Sequence, residues 1–323
     1  MNVNQAMRRA LSLVCASAVT TVGVAGLLAG CATERPPGNG SATEQNGSAG
    51  NTHIAVVAAE NFWGSIAAQL GGERVRVKSI IAIPDADPHD YEPTAADARA
   101  LASAQYVVTN GVGYDPWVTK LIAANPEPGR SVLNVGELIG VKEGGNPHRW
   151  YSPDDVHRVI DQISADYKRI DPADAAYFDQ QKQNYETHGL ARYNQLIADI
   201  KAKYTGTPIG ASESIVTPLA EGLGLRMATP ESFLDAISEG TDPTAADKIT
   251  VDKQIETRQI KIFIFNSQNS TPDVTALVTA AKNHDIPVAM VTETLVPATA
   301  SFQDWQADQL QGIQQALSNA TTP

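Results

Sequence analysis

The sequence predicts an α/β protein of two lobes, each built on a parallel sheet, with a long helix between the lobes. In residues 53–152, short apolar runs alternate with helical patterns, and the same alternation resumes in residues 205–323. Residues 153–204, which separate these regions, contain no strand-like run. Strands that alternate with helices indicate parallel sheets, because each parallel connection needs a crossover segment.

The start of the chain predicts export and attachment to a membrane. Residues 1–30 contain Arg8 and Arg9 followed by an apolar run of small residues, which is typical of a secretory signal. The run approaches the length of a membrane span, so a transmembrane anchor is the alternative. Its last residues and the next one, Leu-Ala-Gly-Cys, resemble a bacterial lipobox, which implies cleavage before Cys31 and lipidation of that residue. We therefore expect a lipid-anchored protein on the extracytoplasmic face of the cell membrane.

The composition of the chain after the signal narrows its class. Residues 31–52 are rich in Gly, Ser, Asn, Thr and Pro and predict a flexible tether between membrane and globular body. The other cysteine, Cys15, lies within the signal, so no disulfide is expected in the mature chain. The formal net charge of −12 argues against a nucleic-acid partner and is compatible with attraction of cations.

The first lobe, residues 53–152, is predicted from a regular series of elements. The second predicted helix has Thr94 as its N-cap and Asp97 at its third helical position, a pair typical of a capping box. The expected strands are residues 54–59, 75–83, 105–109 and 131–135, and the expected helices are residues 63–70, 94–103 and 116–124.

The rest of the chain is predicted as a bridge and a second lobe. Within the bridging segment, residues 153–204, a helix over residues 172–203 would be about 45 Å long, and Gly189 could break it. Asp242 is expected to cap a helix that Pro243 begins. The other elements expected in residues 205–323 are strands at 208–211, 261–265 and 287–292 and helices at 215–223, 272–283 and 302–317. The fold class is thus two Rossmann-like lobes with parallel sheets, joined by a long bridging α-helix.

Two of the six histidines directly follow prolines in predicted loops. His89 lies in PDADPHDYEP after the second strand, and His148 lies in NPHRW beyond the fourth strand. Ligands of open parallel sheets bind beyond the carboxyl ends of the strands, so both imidazoles can reach one cleft. Histidine is a common ligand of zinc and similar divalent metals, although a single loop histidine is more often a surface residue. Glu213, after the first strand of the second lobe, faces the same cleft in this prediction, although an acid that favours a helix N-terminus is the alternative.

Three motifs resemble those of the metal-binding lipoproteins of zinc and manganese ABC importers. DPHDYEPT with Asp97 following is similar to the family's first motif, NPHRW to its second, and GASE with the helix PLAEGLGL to its third. The resemblance implies that His89, His148 and Glu213 are metal ligands. Asp87, Asp90 and Glu92 are expected to shape the turn, support the histidine or remain solvated.

The fourth ligand departs from the family pattern. Where the family usually has an aspartate after its last strand, this chain has Glu293, one methylene longer. Glu293 is the candidate that the resemblance implies, while Asn266, Gln268 or a water molecule could complete the ligand set instead.

The resemblance implies a transport protein that is not an enzyme. It would capture Zn²⁺ or Mn²⁺, with zinc slightly favoured by its affinity for nitrogen and oxygen ligands, and deliver the ion to an ABC permease and its ATPase. We expect a monomer whose long helix limits hinge opening. The alternatives are a secreted zinc metallohydrolase, because two histidines and a carboxylate also describe a catalytic site, and a surface adhesin.

Overall fold

A computed structural model describes residues 53–83 and 91–321 of the chain. The predicted signal, Cys31, the tether and His89 lie outside the described residues, as do Asp87 and Asp90. Among the residues that are described, no helix combines the length and apolar character that a membrane span requires.

The first lobe is a parallel sheet of four described strands in the order β2-β1-β3-β4. Its strands are β1 (Ile54–Glu60), β2 (Val75–Ile81), β3 (Tyr106–Thr109) and β4 (Ser131–Asn134). Its helices are α1 (Asn61–Gly71), α2 (Ala95–Ala102), α3 (Pro116–Ala124) and α4 (Val135–Ile139). The capping box of Thr94 and Asp97 at α2 is confirmed, since both reciprocal hydrogen bonds are present.

The middle of the chain corrects the prediction of one helix over residues 172–203. The structure has α5 (Pro153–Ile170), α6 (Ala175–Asn184) and α7 (Ala191–Tyr204), with a π-helical turn at Tyr185–Gly189 between the last two. The break therefore falls at Gly189, where glycine had been expected to weaken the helix. A side chain at Gly189 would collide with the ring of Tyr185, since a Cβ atom would lie 2.8 Å from its Cδ2. Because α6 packs on α1 and α5 while α7 packs on α8 and α12 of the second lobe, described below, the broken helix still connects the lobes.

The second lobe repeats the topology of the first, with a parallel sheet in the order β6-β5-β7-β8 among the described residues. The predicted fold class of two parallel-sheet α/β lobes is confirmed. The strands are β5 (Pro208–Ala211), β6 (Arg226–Met227), β7 (Ile262–Asn266) and β8 (Val288–Val291). The helices are α8 (Thr217–Leu223), α9 (Glu231–Ser238), α10 (Ala245–Glu256), α11 (Pro272–Asn283) and α12 (Phe302–Thr321).

The expected start of α10 at Pro243 is wrong by two residues. Thr244 is the N-cap, and its hydroxyl accepts a hydrogen bond from the Asp247 amide at 3.2 Å. The Thr244 hydroxyl also donates to the Asp247 carboxylate at 2.7 Å, so this pair and not Asp242 fixes the helix start. Threonine and aspartate at this spacing satisfy amide groups that a helix N-terminus leaves unpaired.

Helix α12 is a second connection between the lobes. The amide of Phe302 donates to the Ser65 hydroxyl of α1 at 2.9 Å. One turn along α1, the side-chain amides of Gln69 and Gln303 exchange hydrogen bonds of 2.9 and 2.6 Å. One continuous apolar core contains buried residues of both sheets and of the connecting helices. Separating the lobes widely would expose that core, so the packing favours small relative movements.

Candidate metal centre

Three of the four predicted ligands lie beyond the carboxyl ends of strands, on facing edges of the two sheets. His148 precedes a short 3₁₀ turn (Arg149–Tyr151), Glu213 directly precedes another (Ser214–Val216), and Glu293 lies two residues after β8. His148 Nε2 and Glu293 Oε1, which belong to opposite lobes, are 3.8 Å apart. The backbone thus brings a histidine and a carboxylate from different lobes together.

His148 is almost fully buried and is held by Asn146 and by an aromatic wall. Its ring nitrogen Nδ1 lies 2.9 Å from Asn146 Oδ1, which also accepts the His148 amide at 3.0 Å. The imidazole meets the edge of Trp150 at 5.3 Å and that of Tyr114 at 6.2 Å between ring centroids. Trp150 in turn stacks on Phe62 at 4.0 Å. These contacts leave Nε2 as the nitrogen that faces Glu293.

Glu213 places a carboxylate where water cannot solvate it fully. The residue is 3 % exposed, and its Oε2 accepts a hydrogen bond from Asn269 Nδ2 at 2.7 Å. No donor among the described residues reaches its Oε1. Burial, followed by the charge of Glu293, raises the pKa of Glu213 to about 7. A buried carboxylate oxygen without a donor is costly unless a proton or a cation reaches it.

Glu293 is the more accessible of the two acids and is oriented from both lobes. The Tyr114 hydroxyl of the first lobe donates to Glu293 Oε1 at 3.0 Å. Gln268 Oε1 accepts the amides of Glu293 and Thr294 at 2.6 and 2.9 Å, which fixes the loop that follows β8. Burial, and then the charge of Glu293, raises the pKa of Tyr114 well above its usual range. Tyr114 therefore remains a hydroxyl donor.

The C-terminal end of the PDADPHDYEP loop is anchored at Tyr91, two residues after His89. The Tyr91 hydroxyl donates to Asp97 Oδ2 at 2.9 Å, and its ring packs on Trp117 at 4.9 Å. Burial acts to raise the pKa of Asp97, but hydrogen bonds from Thr94, Tyr91 and Lys78 outweigh it and lower that pKa to about 2. Asp97 is thus committed to capping α2 and anchoring the loop.

A buried acid below the cleft was missed by the sequence analysis. Glu60, at the carboxyl end of β1, is fully buried, and no donor in the described part of the chain reaches its carboxylate. Burial, and then the charge of Asp115, raises the pKa of Glu60 well above its usual range. Both causes act against the charged form of Glu60. The apolar run that contains it gave no sign of this role.

Other site residues that the sequence analysis missed are amides and a tyrosine. Asn146 stands inside the NPHRW motif, but Tyr114 and Asn269 lie in segments with no recognisable signature. Within residues 53–83 and 91–321, no three His, Cys, Asp or Glu side chains are grouped tightly enough to hold a metal ion. Three of the four predicted ligands lie among the described residues, and the fourth, His89, lies outside them.

The fold defines a class of two-lobed α/β proteins, in which two parallel sheets face each other and helix α12 packs against both lobes. The particular family follows from sequence comparison. The chain belongs to the family described as "ZnuA: Zinc-uptake complex component A periplasmic", whose sequence profile matches residues 56–316. The predicted resemblance to a family of metal-binding transport proteins is confirmed.

Individual relatives and solved structures agree with this assignment. The chain is 24% identical over 279 residues to the "Metal ABC transporter substrate-binding lipoprotein ScbA" of Streptococcus cristatus, covering 81% of this chain and 83% of that protein. It is 27% identical over 170 residues to the "Manganese-binding lipoprotein MntA" of Halalkalibacterium halodurans, covering 51% and 52%. The Mn-bound periplasmic metal-binding protein of Candidatus Liberibacter asiaticus has the same fold, with a TM-score of 0.68, 20% identity, and coverage of 81% of this chain and 98% of that one.

Proposed function

We propose that the protein captures a divalent transition metal ion between its lobes on the extracytoplasmic side of the membrane and delivers it to an ABC permease. The observation that carries this proposal is the 3.8 Å separation of His148 Nε2 and Glu293 Oε1 across the cleft. A metal ion bound at about 2.0–2.2 Å to each atom spans a separation of this order. Membership of a family described as a zinc-uptake component supports the same function.

The proposed ligands are His89, His148, Glu213 and Glu293. Glu213 supports this set because its buried Oε1 has no described donor, and a cation would offset the repulsion between it and Glu293. His89 is included in the set because of the motif in which it lies. The residues that follow it are anchored beside α2 by the hydrogen bond from Tyr91 to Asp97. Two imidazoles and two carboxylates suit zinc and manganese alike.

The alternatives for the fourth ligand have other contacts in the structure. Gln268 Oε1, the atom through which it would bind a metal, accepts two backbone amides of the Glu293 loop. Asn266 Oδ1 accepts the amide of Gln268 at 3.0 Å. These contacts favour Glu293, and they give both amides a role in positioning its loop.

The cargo is proposed to be Zn²⁺ or Mn²⁺, with zinc slightly favoured. Zinc binds mixed nitrogen and oxygen sites more tightly than manganese does, and four ligands satisfy its preferred geometry. Relatives of this chain carry names that specify manganese, as MntA does. Binding without turnover is proposed, in keeping with the family.

Calorimetric titration of the metal-free mature chain with Zn²⁺ and Mn²⁺ tests the ligand set. We expect His148→Ala and His89→Ala each to weaken zinc binding by about 100-fold or more, since loss of a mere supporting partner already costs 10–100-fold. His188→Ala, at an exposed position on the π-helical turn, is the matched control and should bind as the parent chain does. Parent-like affinity in both ligand variants would show that the metal binds elsewhere.

Membrane attachment through Cys31 and partnership with a permease and its ATPase complete the proposal. Fractionation of cells that express the full chain or Cys31→Ser tests the attachment. The parent chain should sediment with membranes, whereas the variant should not carry lipid. Light scattering of the mature chain should give the mass of a monomer, and an oligomer would contradict that part of the proposal.

A further inference from the structure

The side chain of Asn146 links the two lobes at the candidate site. Its Oδ1 accepts the backbone amide of His148 at 3.0 Å and faces the ring nitrogen Nδ1 at 2.9 Å. Its Nδ2 donates to the backbone carbonyl of Ser214 at 2.7 Å. His148 belongs to the first lobe, and Ser214 follows Glu213 in the second. One amide group therefore contacts His148, a proposed ligand, and Ser214, the residue that follows the proposed ligand Glu213.

The orientation of this amide follows from partners that cannot change roles. A backbone N–H only donates and a backbone carbonyl only accepts, so the oxygen of Asn146 must face His148 and its nitrogen must face Ser214. The ring nitrogen Nδ1 then meets an acceptor and must carry the proton. The neutral imidazole has one protonated nitrogen, so Nε2 keeps the lone pair that faces Glu293.

Ser214 is itself fixed to the body of the second lobe. Its amide donates to the Ser238 hydroxyl at 3.0 Å, and the two hydroxyl oxygens are 2.9 Å apart. Ser238 is the last residue of α9. The contact from Asn146 therefore reaches a position that moves with the second lobe.

We propose that Asn146 is a positioning residue that couples the tautomer and orientation of His148 to the closed arrangement of the lobes. This inference rests on the proposed role of His148 as a ligand. When the lobes separate, Asn146 loses the Ser214 carbonyl, and its amide becomes free to rotate away from the imidazole. His148 then loses the contact that presents Nε2 to the metal. Lobe movement and metal release are linked through one side chain.

The test uses zinc alone and four variants of the mature chain, two at Asn146, one at Gln303 and His148→Ala. Asn146→Ala removes both contacts, so we expect zinc affinity to fall by about 10–100-fold, the usual effect of losing the partner of a metal-bound histidine. Gln303→Ala removes a different interlobe amide pair, remote in sequence from the site, and should leave zinc affinity within about twofold. Thermal unfolding of each variant establishes that it is folded.

Nitrogen NMR of the metal-free chain, at about pH 8 where imidazoles are neutral, reports the tautomer directly. The parent chain and Gln303→Ala should show His148 protonated on Nδ1, and Asn146→Ala should lose that preference. Asn146→Asp keeps an acceptor for the ring but has no donor for Ser214. It should therefore retain the tautomer while the carbonyl carbon signal of Ser214 shifts.

The outcomes separate this inference from the proposed function. Loss of zinc binding in His148→Ala, together with parent-like affinity and tautomer in Asn146→Ala, overturns the role of Asn146 alone. A Ser214 carbonyl signal unchanged in both Asn146 variants overturns the link between lobes. If His148→Ala binds zinc normally, the ligand assignment fails first, and the inference fails with it.

Discussion

The two lobes share one strand order but present different chemistry to the cleft. The first lobe offers His148 from an aromatic wall in which Trp150 contacts both Phe62 and Tyr114. The second lobe offers Glu213 and Glu293 from loops, held by amide side chains such as Asn269 and Gln268. The same topology therefore supports one side of the site by packing and the other by hydrogen bonds.

This difference indicates how the site can accept an ion without wide opening. Close-packed aromatic rings resist displacement, because moving one leaves voids that its neighbours cannot fill. The Glu293 carboxylate, on a hydrogen-bonded loop and more exposed than Glu213, adjusts with a smaller penalty, since water can replace a lost partner there. We expect the imidazole side to remain fixed while the carboxylate side adapts to the ion.

Removing the centre of the aromatic wall should have the largest effect on stability. Trp150→Ala deletes a fully buried ring that contacts His148, and we expect a loss of about 3–5 kcal/mol in the free energy of unfolding. Urea unfolding of the metal-free protein measures it. Trp150→Phe is the matched control, because it keeps an aromatic ring and removes an indole N–H that has no described partner. A loss as large in Trp150→Phe as in Trp150→Ala would mean that the wall needs indole specifically.

Neutralising Glu213, the buried acid of the second lobe, should have the next largest effect, and this effect is on zinc affinity. Glu213→Gln removes a proposed ligand charge, and we expect zinc affinity at about pH 8 to fall by about 100-fold. Binding by the parent chain should also weaken as pH falls through about 7, because protonation of Glu213 competes with the metal. That pH dependence should be smaller in Glu213→Gln. Titrations across this pH range measure both effects.

The same variant should change the pH dependence of stability in the metal-free protein. The folded pKa of Glu213, about 7, exceeds the ordinary value of 4.5, so its unfolded carboxyl loses its proton first. The contribution of Glu213 to stability is therefore present at low pH and is lost between about pH 4.5 and 7, at about 1.4 kcal/mol per unit. Urea unfolding should show Glu213→Gln gaining on the parent chain as pH rises. Parallel curves would contradict the raised pKa.

The sequence predicted the sheets well and the supporting amides poorly. Strands such as β5 and helices such as α11 were found because apolar runs, prolines and caps mark them locally. The helix α4 has five residues and β6 has two, which is too short for any periodic signal. The two histidines were proposed as ligands because each follows a proline in a distinctive motif, and that proposal stays a prediction.

The contacts that hold the proposed ligands in place could not be predicted from the spacing of residues in the sequence. Asn146 and Ser214 are 68 positions apart, and Gln268 and Glu293 are 25 apart. Such pairs form only after two lobes or two strand ends have come together, and no local pattern marks one amide as the partner of another. The supporting residues can therefore be identified only from the folded structure.

Removing the amide that holds the Glu293 loop should have an intermediate effect. Gln268→Ala leaves the amides of Glu293 and Thr294 without their acceptor, which destabilises the loop by about 1–3 kcal/mol. We expect zinc affinity to fall by about tenfold while the aromatic wall stays intact. Gln315→Ala, at an exposed position of α12, is the matched control. Normal affinity in Gln268→Ala would indicate that water holds the loop equally well.

The smallest effect should come from the hydroxyl through which the first lobe reaches a carboxylate of the second. Tyr114→Phe removes the donor to Glu293 Oε1 but keeps the buried ring, so we expect a loss of about 0.5–1.5 kcal/mol in zinc binding. Tyr185→Phe, whose hydroxyl contacts Gln303 at 3.3 Å, is the control for loss of a buried phenol.

The direction of the Tyr114→Phe effect decides between two roles for this hydrogen bond. If the hydroxyl orients Glu293 toward His148, removing it weakens zinc binding, as we expect. If it competes with the metal for Oε1, removing it strengthens binding, because the carboxylate gains a free lone pair and remains negatively charged. Since Tyr114 belongs to the packed wall and Glu293 to the adaptable loop, weaker binding would mean that the rigid lobe also positions the ligand of its partner lobe.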